Sequence, residues 1–312
     1  MKSLLTVLSV LLISTVAIAQ DGVKEFEEAE KYKKEGDIPK WFDAITRSAG
    51  FGNMMGYSGL GDAYYAGIGV ESDLAKSLEY YVKAADMGHA LSAYWAGDMY
   101  RLGEGSAADK AKALTYYKKA TELGNPDAVR KVLDLSATET EAMEFLKTTV
   151  AKGNYESARV IGEMYIIGEG GITQNFDEAM VWLKKGEAAN HAGCLYVMAY
   201  IYRNGKSVPQ DGTVELTAEG KDLTKAVDYY YKAATLGNID AMHNLGEMYY
   251  QNIEIEANYE TSFKWFEYAC SYNSGYACYM CSYLIVKSAV SRTQEEAGKF
   301  AAKSLELGYM PE

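Results

Sequence analysis

The sequence predicts an all-α protein, an α-solenoid of tandem helix-turn-helix repeats, and three observations carry that prediction. A glycine or asparagine closes a helix-like segment at Gly52, Gly88, Gly124, Gly153, Asn190, Gly237, Asn273 and Gly308, at intervals of 36, 36, 29, 37, 47, 36 and 35 residues. An aromatic residue stands eight places before each closing position after the first, at Tyr80, Tyr116, Phe145, Trp182, Tyr229, Trp265 and Phe300. Small residues hold two further columns, Gly56, Ser92, Ala128, Ser157, Cys194, Ala241 and Ala277 in one, and Ser77, Ala113, Ala142, Ala179, Ala226, Ser262 and Ala297 in the other. Self-similarity at this period is the mark of a repeat array, in which small residues let helices approach and aromatics fill the space between them.

The chain opens on MKSLLTVLSVLLISTVAIA, with Lys2, an apolar run from Leu4 to Ile18 and an Ala-Ile-Ala end. This reads as a secretory signal peptide spanning 1–19 and cleaved after Ala19. The expected mature protein is exported, periplasmic or secreted. No cysteine follows the cleavage point to carry a lipid, and no second apolar run reaches the length of about 20 residues that spans a membrane, so no direct membrane insertion is expected. Residues 20–52 read as a diverged helix pair, a cap for the first repeat, and 53–312 as the array of about six to seven units.

Each unit reads as two helices, A then B. Helix A carries the first small residue and ends near a tyrosine, as at Tyr64, Tyr100, Tyr165, Tyr202 and Tyr249. Helix B starts at a polar cap, Asp73, Asp109, Thr138, Asn175, Asp222, Asn258 or Thr293, whose side chain can accept from exposed backbone N–H groups. Thr293-Gln294-Glu295-Glu296 completes a capping box. The closing glycine or asparagine fits a left-handed helix end, since asparagine shares glycine's tolerance for that backbone.

The pattern small-x-x-x-Leu-Gly-x-x-Tyr, then Gly-x-Gly-Val, then Asp-x-x-Lys-small and Ala-Ala-x-x-Gly, seen from Gly56 to Gly88, resembles the Sel1-like repeat family. The resemblance covers roughly residues 52 to 308. It implies a right-handed solenoid related to tetratricopeptide arrays, with adaptor or scaffold roles. Two units depart from the pattern: 125–153 is short and lacks the Gly-x-Gly connection, and 191–237 is long through KSVPQDGTVELTAEGKD.

The formal net charge of −12 argues against nucleic acid as a partner. The glycine pairs Gly67-x-Gly69, Gly103-x-Gly105 and Gly168-x-Gly170 follow helices, not strands, and two of them place Glu104 or Glu169 where a phosphate would sit, so they read as turns into helix B. Four cysteines are few for a disulfide framework. Cys194 and Cys281 fall in packing columns, Cys278-x-x-Cys281 lies inside a helix A without the strand-to-helix start of a redox pair, and Cys270 with Cys278 could bridge a helix hairpin. No histidine stands near the cysteines to make a zinc site. His89 and His191 share a turn position, and His243 has no serine or cysteine partner in the repeat register, so no catalytic triad is assembled. No catalytic residue, cofactor or metal is expected.

One column suggests binding. After the helix A glycine or its equivalent come Asp62, Asp98, Glu163, Tyr200 and Glu247, an acidic stripe with one tyrosine, on the helix that lines the concave side in solenoids of this kind. A solvated helix face is the plainer reading of the same column. Tyr94, Trp95, Tyr196 and Tyr279 on helix A and the loop from Gly205 to Asp222 offer further contact surface. The expected function is an exported scaffold whose partner is a protein or peptide. The resemblance carries an alternative: a cysteine-rich secreted branch of that family is associated with peptidoglycan or β-lactam binding, which would make this a cell-wall binding protein or weak hydrolase. This chain lacks that branch's cysteine pair in each repeat.

Overall fold

A computed structural model describes residues 20–168, 172–205, 220–252 and 255–310. The segment read as a signal peptide, most of the Gly205–Asp222 loop, and Glu169, Gly170 and Gly171 lie outside the described residues. Sixteen helices and no strand occur among the described residues. They divide into two compact units, one ending at Asn154 and the other starting at Tyr155.

The first unit holds α1 (20–35), α2 (Ile38–Gly50), α3 (Met54–Ala66), α4 (Leu74–Asp86), α5 (Ala90–Leu102), α6 (Lys110–Glu122), α7 (Pro126–Leu135) and α8 (Glu139–Ala151). The second holds α9 (Tyr155–Ile167), α10 (Phe176–Ala188), α11 (Ala192–Asn204), α12 (Leu223–Thr235), α13 (Ile239–Gln251), α14 (Tyr259–Ser271), α15 (Gly275–Val286) and α16 (Gln294–Glu306). Within each unit successive helices pack on one another.

Every closing position has the positive φ that the spacing implies, from 55° at Asn190 and 63° at Asn273 to 100° at Gly88. The backbone reverses there, and in six of the eight places the next residue caps helix A. Asn53, Asn125 and Asn238 accept from backbone N–H groups two or three residues on, and His89, His191 and Ser274 fill the same place. The polar caps of helix B also accept as their types demand, and Thr293 and Glu296 form the full capping box. Gly67 and Gly103 are left-handed ends of α3 and α5, so the pairs Gly67-x-Gly69 and Gly103-x-Gly105 are turns, while Gly170 of the third pair lies outside the described residues.

Three columns explain the core. The tyrosine near the end of helix A stacks on the aromatic of helix B: Tyr64 on Tyr80 at 5.7 Å, Tyr100 on Tyr116 at 5.5 Å, and Tyr202 on Tyr229 at 5.5 Å between ring centroids. The Lys of Asp-x-x-Lys covers each stack, with Lys76, Lys112 and Lys225 ammonium groups 5.1, 5.1 and 5.2 Å from the Tyr64, Tyr100 and Tyr202 rings. The helix A glycine admits the next residue of helix B. A Cβ on Gly61 would lie 2.5 Å from the Tyr81 ring, on Gly97 2.9 Å from Tyr117, and on Gly246 2.7 Å from Phe266. Ser77 and Ser262 of the small column donate to the Gly61 and Gly246 carbonyls at 2.9 and 2.8 Å, which ties the two helices where they come closest.

Candidate functional site

The acidic column is not an open stripe. Asp62 is exposed, but its Oδ1 accepts from the Tyr81 hydroxyl at 2.7 Å. Asp98 is buried; its Oδ1 accepts from the Tyr117 hydroxyl at 2.8 Å and from Arg101 Nη2 at 2.6 Å. Glu163 pairs with Arg159, and Glu247 accepts from the Tyr276 hydroxyl and, at 2.7 Å, from Gln251. Tyr200 stays exposed. Asp98, Glu163 and Glu247 thus each hold a partner within the chain. The physical reason is the neighbouring column: where helix B offers a tyrosine under the helix A glycine, the carboxylate takes its hydroxyl. Where helix B offers Leu183 or Phe266 in that place, the carboxylate turns to Arg159 or Tyr276 instead. Burial, together with the nearby carboxylate, raises the Tyr81 and Tyr117 phenols well above the ordinary tyrosine range.

Of Tyr94, Trp95, Tyr196 and Tyr279, only Trp95 belongs to the exposed class. Tyr94 leans on Tyr117, Tyr196 on Tyr230, and Tyr279 on Tyr283 and Tyr309. Trp95 lines a cavity of about 360 Å³ between α3 and α5, with Tyr65, Ile68 and Leu102 among its other apolar walls and Asp62, Arg101 and Glu104 among its polar ones. These four apolar side chains are 40–53% exposed, although the Trp95 ring also packs edge-on against Tyr94 at 5.4 Å, and together they make a cluster of large exposed apolar surface. The Tyr65 hydroxyl reaches Glu104 at 3.3 Å, and the charge of Glu104 raises the Tyr65 phenol. The second unit has two larger hollows. One of about 740 Å³ lies against the connection 255–258, and one of about 540 Å³ lies between α12 and α14 beside Tyr231, Trp265 and Tyr268. Of these three, the α3–α5 cavity brings two of the column residues, Asp62 and Asp98, to a common opening.

The cysteines and histidines take structural places. Cys270 and Cys278 are joined in a disulfide between α14 and α15, so Cys278-x-x-Cys281 is not a dithiol pair. Cys194 and Cys281 are buried free thiols, and burial pushes Cys194 up to about 12. The structure gives His243 the serine partner that the sequence register did not: its Nε2 lies 2.8 Å from Ser274 Oγ. That hydroxyl also caps α15 by accepting from Ala277, and the pair joins one helix A to the cap of the next. No group of three or more potential metal ligands occurs among the described residues, and no described helix is long and apolar enough to cross a membrane.

His89 and His191 use Nδ1 to accept from Ser92 and Cys194 backbone N–H groups, a role that a protonated ring cannot fill. Burial lowers the pKa of both, against the opposing charges of Asp62 at His89 and Glu156 at His191, and Arg159 adds to the lowering at His191. The unfolded chain therefore takes up these protons first, so stability is fully present above the unfolded histidine pKa and declines as pH falls through it. Replacing both by asparagine, the residue other repeats use there, keeps the caps. The drop in melting temperature between about pH 7.5 and about pH 5.5 should shrink relative to the parent chain. An equal drop in both proteins would show that these rings do not set the acid limb.

A family model described as Sel1 repeat matches residues 55–89, 90–125, 156–191, 192–213, 218–238 and 239–271. The short repeat around α7 and α8 falls between its second and third matches. The chain is 29% identical over 125 residues to the ERAD-associated E3 ubiquitin-protein ligase component HRD3B of Arabidopsis thaliana, an alignment spanning 40% of this chain and 17% of that protein. Among solved structures, a Sel1 repeat protein from Oxalobacter formigenes superposes with a TM-score of 0.53 at 20% identity, over 90% of this chain and 99% of the other. A protective antigen of uropathogenic Escherichia coli strains with an SLR fold gives a TM-score of 0.49 at 23% identity, over 95% of this chain and 64% of that one.

Proposed function

The chain belongs to the Sel1 repeat family, whose repeat fold is typical of protein–protein interaction, and we propose that it is an exported scaffold that holds a protein or peptide partner and carries out no catalysis. The partner lies on the face lined by the first helices of the repeats, the concave face of such solenoids. The observation that carries this reading is the α3–α5 cavity, where Tyr65, Ile68, Trp95 and Leu102 stay exposed together. Large, stiff aromatic and aliphatic side chains gathered at one opening supply the buried centre that interfaces depend on. Export rests on the character of residues 1–19 alone.

The test is affinity capture with the mature chain from an envelope extract, run beside Trp95→Ala. A reproducible partner should be recovered by the parent and lost by the variant, whose melting temperature should stay close to the parent's because Trp95 is 40% exposed. Co-sedimentation with purified peptidoglycan in place of any protein partner would support the cell-wall alternative and count against this reading.

A further inference from the structure

The α3–α5 cavity has a charge that its apolar walls do not account for. Asp62 accepts from Tyr81 through one oxygen and has no ion-pair partner among the described residues. Glu104 accepts from the Tyr65 hydroxyl at 3.3 Å and likewise has no ion-pair partner among them. The one cation in the lining, Arg101, is already spent: Nε and Nη2 hold Asp98 Oδ1 at 3.0 and 2.6 Å, with Tyr117 completing the cluster. The opening therefore presents two carboxylates without a counter-charge beside the rings of Tyr65 and Trp95 and the side chains of Ile68 and Leu102.

That combination selects for a cation on an apolar stem. A neutral apolar side chain would fill the cavity but leave Asp62 and Glu104 to be partly desolvated without compensation, and an acidic one would be repelled. An arginine or lysine lays its methylenes along apolar walls, sets its head over an aromatic face and offers donors to carboxylates. A cavity of about 360 Å³ sits at the small end of ligand pockets, about 300–1,000 Å³, which suits one long side chain and part of a neighbour better than a folded surface.

We propose that this cavity recognises a basic residue, arginine or lysine, flanked by a bulky apolar residue in a segment of the partner polypeptide. The inference rests on the reading of the helix A face as the interaction surface, and deepens it by naming the chemistry of the partner.

The experiment is selection of a displayed random heptapeptide library on three forms of the immobilised mature chain: the parent, Trp95→Ala, and the double variant Asp62→Asn with Glu104→Gln. Both replacements in the double variant keep an acceptor for the Tyr81 and Tyr65 hydroxyls, and its melting temperature is measured alongside. Peptides enriched on the parent should carry Arg or Lys next to Leu, Met, Phe or Trp at roughly fivefold or more above the library, should bind the double variant roughly tenfold more weakly, and should weaken as salt rises from roughly 0.05 to 0.5 M. Enrichment of neutral or acidic peptides, equal binding to the double variant, or no enrichment at all overturns the proposal. Peptides without basic residues that are still lost on Trp95→Ala would overturn this inference and leave the helix A face standing. Enrichment indifferent to Trp95 would count against that face itself.

Discussion

Tyr117→Ala is expected to destabilise the first unit by about 3–5 kcal/mol, while Tyr117→Phe should cost only about 0.5–1.5 kcal/mol. The tyrosine ring is fully buried under Gly97, against Tyr94 and within a cluster that includes Ala93, Ala113, Ala120, Ala128 and Val132. Its neighbours are mostly alanines, which have no rotamer freedom with which to close a cavity, so the space left by the ring stays open. Removing the hydroxyl alone is milder, because Asp98 keeps both bonds from Arg101. Urea denaturation of the two variants would measure the difference. Amide exchange would show the loss concentrated in α5, α6 and α7, since a repeat feels chiefly its immediate neighbours. Equal costs for Ala and Phe would mean that the hydroxyl, not the ring, holds this joint.

Gly105→Ala should cost about 2–4 kcal/mol, and Gly124→Ala only about 1–2 kcal/mol, although both glycines have positive φ. At Gly124, with φ of 91°, a Cβ would meet nothing within 4 Å, so the cost is that of the left-handed backbone alone. At Gly105, with φ of 74°, the Cβ would lie 2.2 Å from the Leu74 carbonyl oxygen and 2.7 Å from its carbon, in the first turn of α4. Backbone cannot swing aside as a side-chain tip can, so the α5–α6 connection must lift off the preceding repeat. Gly69 repeats the arrangement one unit earlier, where a Cβ would come within 3.0 Å of Phe42 Cβ in α2. At Gly69 and Gly105 the second glycine of the pair is thus the point where one repeat's turn rests on the helix that closes the preceding helix pair. Urea midpoints of the two variants measure the contrast, and equal losses would remove the contact from the account.

The sequence carried the fold almost whole, because its grammar is local. A positive φ at Gly88 or Asn273, a cap at Asp73 or Asn258 and a stack of Tyr64 on Tyr80 each depend on residues within one repeat, and each recurs often enough to be read as a column. The candidate site was only half legible. Asp62 and Trp95 were singled out, but their partners were not, since Asp62 meets Tyr81 and Trp95 meets Tyr65, Ile68 and Leu102 only through the way neighbouring helices stack. A signal for the first was present. Tyr81 and Tyr117 are the second tyrosines of Tyr-Tyr pairs, in a column of their own beside the aromatic one, and buried phenols seek acceptors. The pairing of His243 with Ser274 left no such trace, because it joins two positions of different repeats that share no column with other such pairs.

If binding runs through the helix A face at α3 and α5, two aromatic truncations should part company. With the captured partner purified, its affinity is measured by titration calorimetry for the parent chain, for Trp95→Ala, and for Tyr231→Ala, which removes an equally prominent aromatic, 55% exposed, from helix B of the second unit. Trp95→Ala should lose roughly 30-fold or more in affinity, corresponding to about 2 kcal/mol, and Tyr231→Ala should change it by less than roughly threefold. The opposite order, or parental affinity in Trp95→Ala, would contradict binding through that face.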